Sequence, residues 1–327
     1  MLYVDNGNQI DPRINLAIEE FLLRHVQVKE PLLLFYINEP AVIIGRNQNS
    51  LEEIDPDFIK ANNIHLVRRL SGGGTVYHDL GNLNYSFITP GQEGLHKFER
   101  FTEPVIRGLR DLGVDSELRG RSDIFAGGKK ISGNAQYASR GRMFSHGTLL
   151  FNTDIEFLVK AIKPRQVKIE SKAVQSVRSF VANIHELQPK IKNIEELRQA
   201  ILQGIFESGP IQSYVLSEKD WSQIQRLSSE RYRTWEWNVG RSPRFNIQKS
   251  ERFPAGKVEI RIDVDKGLVR SVEIHGDFLG KGEVDGLRAL LIGVRYDPNA
   301  LAVALRSVEI EPFFGGLTRK EILDLLY

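Results

Sequence analysis

The residues best equipped for chemistry sit in the stretch 68–78, RRLSGGGTVYH, where two arginines, a serine and three consecutive glycines precede a histidine. Gly72, Gly73 and Gly74 lack a β-carbon, so the backbone can turn sharply and present several N–H groups to one anion. Arg68 and Arg69 stand beside them with fixed positive charge. On a strand these two point to opposite faces, so at most one reaches the hollow that the glycines border. A glycine triplet is equally compatible with a simple tight turn or bulge.

A second cationic stretch follows at 122–137, SDIFAGGKKISGNAQY, and leads into HGTLLFN at 146–152. Gly127 and Gly128 read as a hairpin turn between two strands. Alternation then places Lys130 and Ser132 on one face, with Lys129 and Ile131 on the other. One lysine is thereby offered to a pocket while its neighbour is offered to solvent or to the opposite layer. The named phosphate loops are absent. A dinucleotide fingerprint on Gly72 and Gly74 needs glycine at 77, which is Tyr77; a Walker loop on Gly128 and Lys129 needs glycine at 123 and Ser or Thr at 130, which are Asp123 and Lys130.

The elements that must position these groups follow from patterning. Leu2 to Val4 opens as a strand, and Asp11 with Pro12 starts a helix striped by Ile14, Ala17, Ile18 and Phe21. Leu32 to Ile37 and Ala41 to Ile44 are nearly continuous apolar strands around Glu39 and Pro40, as expected for a sheet covered on both faces. A helix near 57–61 leads to the strand before the glycines, and Phe98 to Leu112 forms an amphipathic helix. Helices are also expected at 154–161, 195–206 and 219–232. The Gly/Pro/Arg-rich stretch 235–245 marks a domain boundary, giving domains 1–243 and 244–327. Beyond it, 257–263 and 268–275 alternate as a hairpin around Asp265, Lys266 and Gly267, with helices near 284–291, 299–305 and 319–326. The fold class is therefore α+β, with a small α+β unit at the C-terminal end.

Composition excludes several classes. Forty-four basic and 42 acidic residues leave a net charge of +2, so no bulk field favours nucleic acid or an anionic membrane. The opening MLYVDNGNQIDPR has neither a basic start nor an apolar core, and no run approaches about eighteen apolar residues, so neither a signal peptide nor a membrane span is expected. A cytoplasmic address follows. Cysteine is absent, which excludes disulfides, thiolate metal sites and any acyl-enzyme on a thiol.

The succession RRLSGGGTVYHDLGN, DIFAGGKKISGNA and HGTLLFN resembles the lipoate-protein ligase family, relatives of the biotin protein ligases and octanoyl transferases. The similarity extends from GRNQN at 45–49 to SVRSFVANI at 176–184. It implies a mixed β-sheet catalytic domain of the biotin/lipoate ligase type with a small accessory domain. It also implies ATP-dependent conversion of lipoate to lipoyl-AMP, with Mg²⁺ accompanying ATP. The lipoyl group then passes to a lysine on acceptor domains of 2-oxoacid dehydrogenase E2 subunits or the glycine cleavage H protein.

By the same resemblance Lys130 lies between carboxylate and phosphate. Arg69, Ser71 and the backbone of Gly74, Thr75, Val76 and Tyr77 take the nucleotide and acyl side. A segment containing Lys172, Ser176 and Arg178 corresponds to the loop that closes over the adenylate, with Phe180 where an arginine is common. His78 and Asp79 are compatible with positioning water or metal, or with locking the loop; Asp123 with holding Lys130 or Mg²⁺, or with a structural ion pair. His146 is expected to order its strand pair. The alternatives are a transferase using a preformed acyl donor and a non-catalytic lipoate-binding protein. A biotin ligase would carry a GRGRxGRxW-type loop, where RRLSGGGTVYHD stands.

Overall fold

The computed structural model describes residues 1–162, 180–207, 209–242, 245–254, 256–276, 284–311, 313–314 and 316–327. The chain divides into Met1–Asn238 and Val239–Tyr327. The stretch containing Lys172, Ser176 and Arg178 lies outside the described residues.

The first unit holds strands β1 (Leu2–Val4), β2 (Leu32–Ile37), β3 (Ala41–Ile44), β4 (His65–Arg68), β5 (Val76–His78), β6 (Asn82–Thr89), β7 (Ser116–Arg119), β8 (Asp123–Ala126), β9 (Lys129–Ser139), β10 (Arg142–Leu150) and β11 (Ser213–Tyr214). Eight of them form one sheet in the order β11-β1-β2-β6-β10-β9-β8-β7, and three form another, β4-β3-β5. β1 runs parallel to β2 and β11, and the remaining neighbours in the large sheet are antiparallel. The helices needed here are α1 (Pro12–Arg24), α2 (Ser50–Glu53), α3 (Pro56–Ala61), α4 (Glu99–Asp111), α5 (Ile155–Ala161), α6 (Ile184–Leu187) and α7 (Ile194–Ile205).

Strand alternation builds the layers. Leu33, Phe35, Leu83, Tyr85 and Phe87 pack with Phe101, Val105 and Leu109 of α4 and Leu197 and Ile201 of α7. Leu32, Leu34 and Tyr36 point the other way, toward α1 and toward Ala41, Ile43 and Val67 of the small sheet. The back of that small sheet, Val42, Ile44 and Tyr77, packs on Ile59 of α3 and Ala161 of α5. The hollow between the two sheets is where the chemistry-bearing residues gather. α1 starts as its sequence dictates, with the Asp11 side chain accepting from Arg13 N and Pro12 in the first turn.

Three expectations change. β2 and β3, which read as neighbours in one sheet, belong to different sheets. Both are apolar throughout because each is buried on two sides, and that pattern carries no pairing information. The strict alternation expected after Gly128 is interrupted: Ile124 pairs with Ser132 but Phe125 pairs with Lys130, leaving Ile131 as the extra residue of a β-bulge. Ser132 therefore leaves the face that Lys130 occupies. Finally, a four-residue helix, Trp235–Asn238, occupies the first part of the stretch expected to be an irregular break.

The second unit is an antiparallel sheet of β12 (Phe245–Phe253), β13 (Gly256–Asp265) and β14 (Leu268–Gly276). Val258, Ile260, Ile262 and Val264 of β13 are buried, as are Leu301, Leu305, Ile322 and Leu325 from the helical segments that follow. β12 was not expected, since its central residues, Gln248 to Glu251, are all polar and give no apolar alternation. No helix among the described residues is long and apolar enough to cross a membrane.

Candidate active site

A cavity of about 240 Å³ opens between the two sheets of the first unit. One wall is the glycine loop with β5, through Gly73, Gly74, Thr75, Val76 and His78; the facing wall is the β8–β9–β10 meander, through Asp123, Lys130, Gly133 and His146. Leu16, Tyr36 and Ile43 supply apolar surface between them.

Lys130 reaches the cavity because the turn before it works. Gly127 and Gly128 have φ of 55° and 78°, the left-handed pair a tight hairpin requires. Its Nζ lies 2.8 Å from Asp123 Oδ2, with the two side chains 26% and 30% exposed. Gly133 supplies the bed for the lysine: a β-carbon there would meet Lys130 Cε and Nζ at 3.3 Å. The Lys130 carbonyl accepts from Ala182 N at 3.0 Å, so Val181 and Ala182 are seated beside the lysine strand. Phe180, just before them, is 54% exposed and meets Phe125 edge-on.

The two arginines separate as alternation requires. Arg68 is fully buried and donates to the carbonyls of Gly45, Gln48, Trp237 and Asn238 and to Ser50 Oγ. Arg69 turns to the cavity side. Its Nη2 donates to the carbonyls of Gly72 and Gly74, each at 2.7 Å; Nη1 donates to Ile43 O at 3.0 Å and Nε to Ser71 Oγ at 3.0 Å. Burial lowers the Arg69 pKa to about 10, against the pull of Tyr36 and Glu19, and the group stays charged at neutral pH. Its donors thus fix the carbonyls of Gly72 and Gly74, and with them the conformation of the loop.

Ser71 does not line the cavity. It is fully buried and joins Arg69 to His146, whose Nε2 lies 2.7 Å from Ser71 Oγ. His146 Nδ1 lies 2.9 Å from Glu19 Oε1, and Glu19 is only 2% exposed. The polar chain therefore runs from α1 through β10 to the glycine loop. A second chain leaves α1 four residues earlier: Asn15 Nδ2 donates to Asn38 Oδ1, and Asn38 Nδ2 meets His78 Nδ1, both at 2.9 Å. With Nδ1 accepting, the proton of neutral His78 sits on Nε2, a buried atom in the cavity wall that has no partner. Burial, then the charges of Arg69 and His146, hold the His78 pKa down to about 3, so the ring is neutral across the physiological range.

Of the residues singled out in the sequence, Lys130, Arg69, Gly74, Thr75, Val76, His78 and Asp123 line the hollow. Tyr77 sends its side chain to the opposite core and does not line the hollow. Ser132 is buried beside Asn134, whose Nδ2 lies 3.2 Å from Ser132 Oγ. Thr75 Oγ1 donates to Gln48 Oε1 at 3.0 Å, tying GRNQN to the loop. Asp79 locks local backbone, accepting from Gly81 N and Asp154 N. Reading the sequence missed Glu19, Asn15, Asn38, Tyr36 and Asn84. The one signal available was Asn15 and Glu19 at i and i+4 within an apolar helix, the spacing of two side chains on one face.

Among the described residues Asp123 is the sole carboxylate lining the cavity, and it is bonded to Lys130. Among the described residues no group of three or more potential metal-ligating side chains occurs. The donor set does not suit a resident metal ion.

Residues 11–206 match the model of the lipoyl protein ligase A/B catalytic domain, and residues 242–326 match that of the bacterial lipoate protein ligase C-terminus. Lipoate-protein ligase LplJ of Bacillus subtilis (strain 168) is 49% identical over 331 residues, covering 100% of both chains. Lipoate-protein ligase 1 of Staphylococcus aureus is 44% identical, again over 100% of both. Among solved structures, one from an archaeal lipoylation system, a bipartite lipoate protein ligase and its E2 lipoyl domain from Thermoplasma acidophilum, is 34% identical with a TM-score of 0.65, covering 73% of this chain and 94% of that one. A lipoate-protein ligase A bound with ATP matches at 34% identity and a TM-score of 0.62, covering 73% of this chain and 97% of that one. A catalytic-domain model matched across the cavity-bearing unit and relatives similar from end to end lead to one conclusion: the chain belongs to the lipoate-protein ligase family.

Proposed function

We propose that the first unit is the catalytic domain of an ATP-dependent lipoate-protein ligase. It activates lipoate as lipoyl-AMP and transfers the lipoyl group to a lysine ε-amine on acceptor domains of 2-oxoacid dehydrogenase E2 subunits or the glycine cleavage H protein. The observation that carries this reading is one hollow in which the Lys130 ammonium faces the glycine loop across an apolar floor. Relatives at 33% and 34% identity, solved with bound lipoic acid and with ATP, supply the two ligands.

In the first step a lipoate carboxylate oxygen attacks the α-phosphorus and pyrophosphate leaves. Negative charge spreads over the phosphoryl oxygens, and a fixed ammonium with oriented N–H groups lowers the energy of that state. Lys130 supplies the ammonium, and the backbone from Gly74 to Tyr77 supplies the N–H groups. Arg69, with its donors committed to Gly72 and Gly74 carbonyls, acts by holding the loop in that orientation. The Nε2–H of neutral His78 is a further donor for an acyl or phosphoryl oxygen. In the second step the acceptor amine attacks the acyl carbon, the bond to the phosphate oxygen breaks, and AMP leaves with the electron pair.

Mg²⁺ enters as the companion of ATP; among the described residues the single carboxylate at hand, Asp123, gives no separate protein site. With no thiol anywhere in the chain, activation through ATP stands in for an acyl-cysteine. We place the activity in the cytoplasm, where ATP and acceptor domains coexist.

The test is an omission series with the intact chain, ATP, labelled lipoate and an apo acceptor domain. Label on the acceptor is expected only when all are present, together with lipoate-dependent pyrophosphate release. Transfer that ignores ATP, or that favours biotin, overturns the reading.

A further inference from the structure

A second recess, of about 450 Å³, lies at the β9–β10 turn and is lined by Arg24, Lys29, Arg140 and Arg142 with Leu23 and Pro90 among their neighbours, and by no Asp or Glu. Arg142 is the anomaly in it. The residue is 7% exposed, yet its Nε and Nη2 are buried and have no hydrogen-bond partner. A guanidinium in such a place is costly unless an anion meets it, and a carboxylate fits its fork geometry best. Glu20 does not line the recess and is bound to Arg24 at 2.7 Å and to Arg231.

The position of the recess relative to the active cavity can be measured along two elements. On β10, Arg142 precedes the cavity residue His146 by four positions on the same face, about 13 Å at strand spacing. On α1, the cavity residue Leu16 and the recess residue Leu23 are seven positions apart, about 10 Å at helix rise. Both routes keep to the α1 side of the large sheet. Between the two hollows Arg46 lies over the Tyr137 ring, 5.2 Å from its centroid, and Arg24 Nη2 reaches the Tyr137 hydroxyl at 3.5 Å. A cationic track thus runs from beside the cavity to the hairpin end.

We infer that this recess is the seat for carboxylates on the acceptor protein, which orient its target lysine toward the cavity holding Lys130. The inference rests on the ligase reading and extends it to the acceptor. An interface of ordinary size covers about 800 Å² of each partner, so an acceptor seated at the cavity also covers a recess about ten to thirteen ångströms away, where charge complementarity governs orientation and encounter rate.

The experiment separates the half-reactions in the full-length chain. Arg140→Glu reverses an exposed cation at the hairpin turn, and Arg142→Gln keeps an N–H donor in the buried seat. Each is assayed for lipoate-dependent pyrophosphate release without acceptor, and for lipoylation against rising concentrations of an apo E2 lipoyl domain. Pyrophosphate release is expected to be unchanged, while the acceptor KM rises roughly tenfold in Arg140→Glu with kcat kept. Added salt should lower kcat/KM for the acceptor in the unmodified chain and much less so in the variant. An unchanged acceptor KM in both variants overturns the inference, and so does a fall in pyrophosphate release equal to the fall in transfer, which would assign the recess to the nucleotide. Absence of lipoate-dependent pyrophosphate release in the unmodified chain defeats the ligase reading itself, a result distinct from either.

Discussion

The two walls of the cavity are held by different means. On the glycine-loop side Arg68 and Arg69, 0% and 6% exposed, bind carbonyls drawn from several separate segments of the first unit, and Ser71, His146 and Glu19 extend the network into α1. On the meander side Lys130, the charge proposed to act in both steps, is held by an ion pair to Asp123 that is a quarter to a third exposed. The contrast separates two tasks. Backbone donors act only if their carbonyl neighbours are immobilised, which takes many buried bonds. An ammonium that must serve two successive steps needs a partner it can leave at little cost, and a part-exposed pair offers that.

The sharpest way to break the contrast is Arg68→Met. Removing a buried guanidinium strands several carbonyls at once, and a loss of about 3 to 5 kcal/mol in unfolding free energy is expected from urea titration. A loss under about 1 kcal/mol would mean the loop wall is no more firmly held than its opposite. Lys130→Ala should behave in the opposite sense. Lipoate-dependent pyrophosphate release should fall by about 10² to 10³ while the melting temperature barely moves. Near-normal release in that variant would remove Lys130 from the reacting centre.

His78→Gln sharpens the comparison through pH. An unfolded histidine takes up its proton near pH 6.5, whereas buried His78 resists protonation down to about 3. The unfolded chain therefore binds more protons in that window, and the unmodified protein should lose stability as pH falls from about 6.5 toward 3. The glutamine variant should show a flatter profile, read as urea midpoints at pH 7.5 and 4.5. Matching slopes would show that the ring is already solvated. The smallest effect belongs to Asp123→Asn, which should change stability by about 0 to 1 kcal/mol, since the pair it breaks is part-exposed.

How much of this was legible in the chain depended on whether the signal was local. The Gly127–Gly128 turn, the Asp11–Pro12 helix start and the opposite pointing of Arg68 and Arg69 are properties of adjacent residues, and they could be read directly. The lysine and the glycine loop were found as candidates because their types are conspicuous. What escaped depends on distant partners. Glu19 and Asn15 read as polar positions of an amphipathic helix, but α1 is covered by both sheets, so those positions became the anchors of two histidines. His146, expected merely to order its strand pair, turned out to bridge α1 and the loop. The phase error at Ser132 came from the bulge, which no composition rule marks.

That bulge has a consequence for what the chain tolerates. With one surplus residue at Ile131, the ammonium of Lys130 faces the hollow while Ile131, fully buried, joins the oily interior. Deleting Ile131 would close the ladder with every other pair kept, Lys130 opposite Phe125 and Ser132 opposite Ile124, and would leave the interior short of one fully buried side chain. The surplus residue thus fills the core without moving the ammonium, so its loss should be read in stability and not in the position of the lysine.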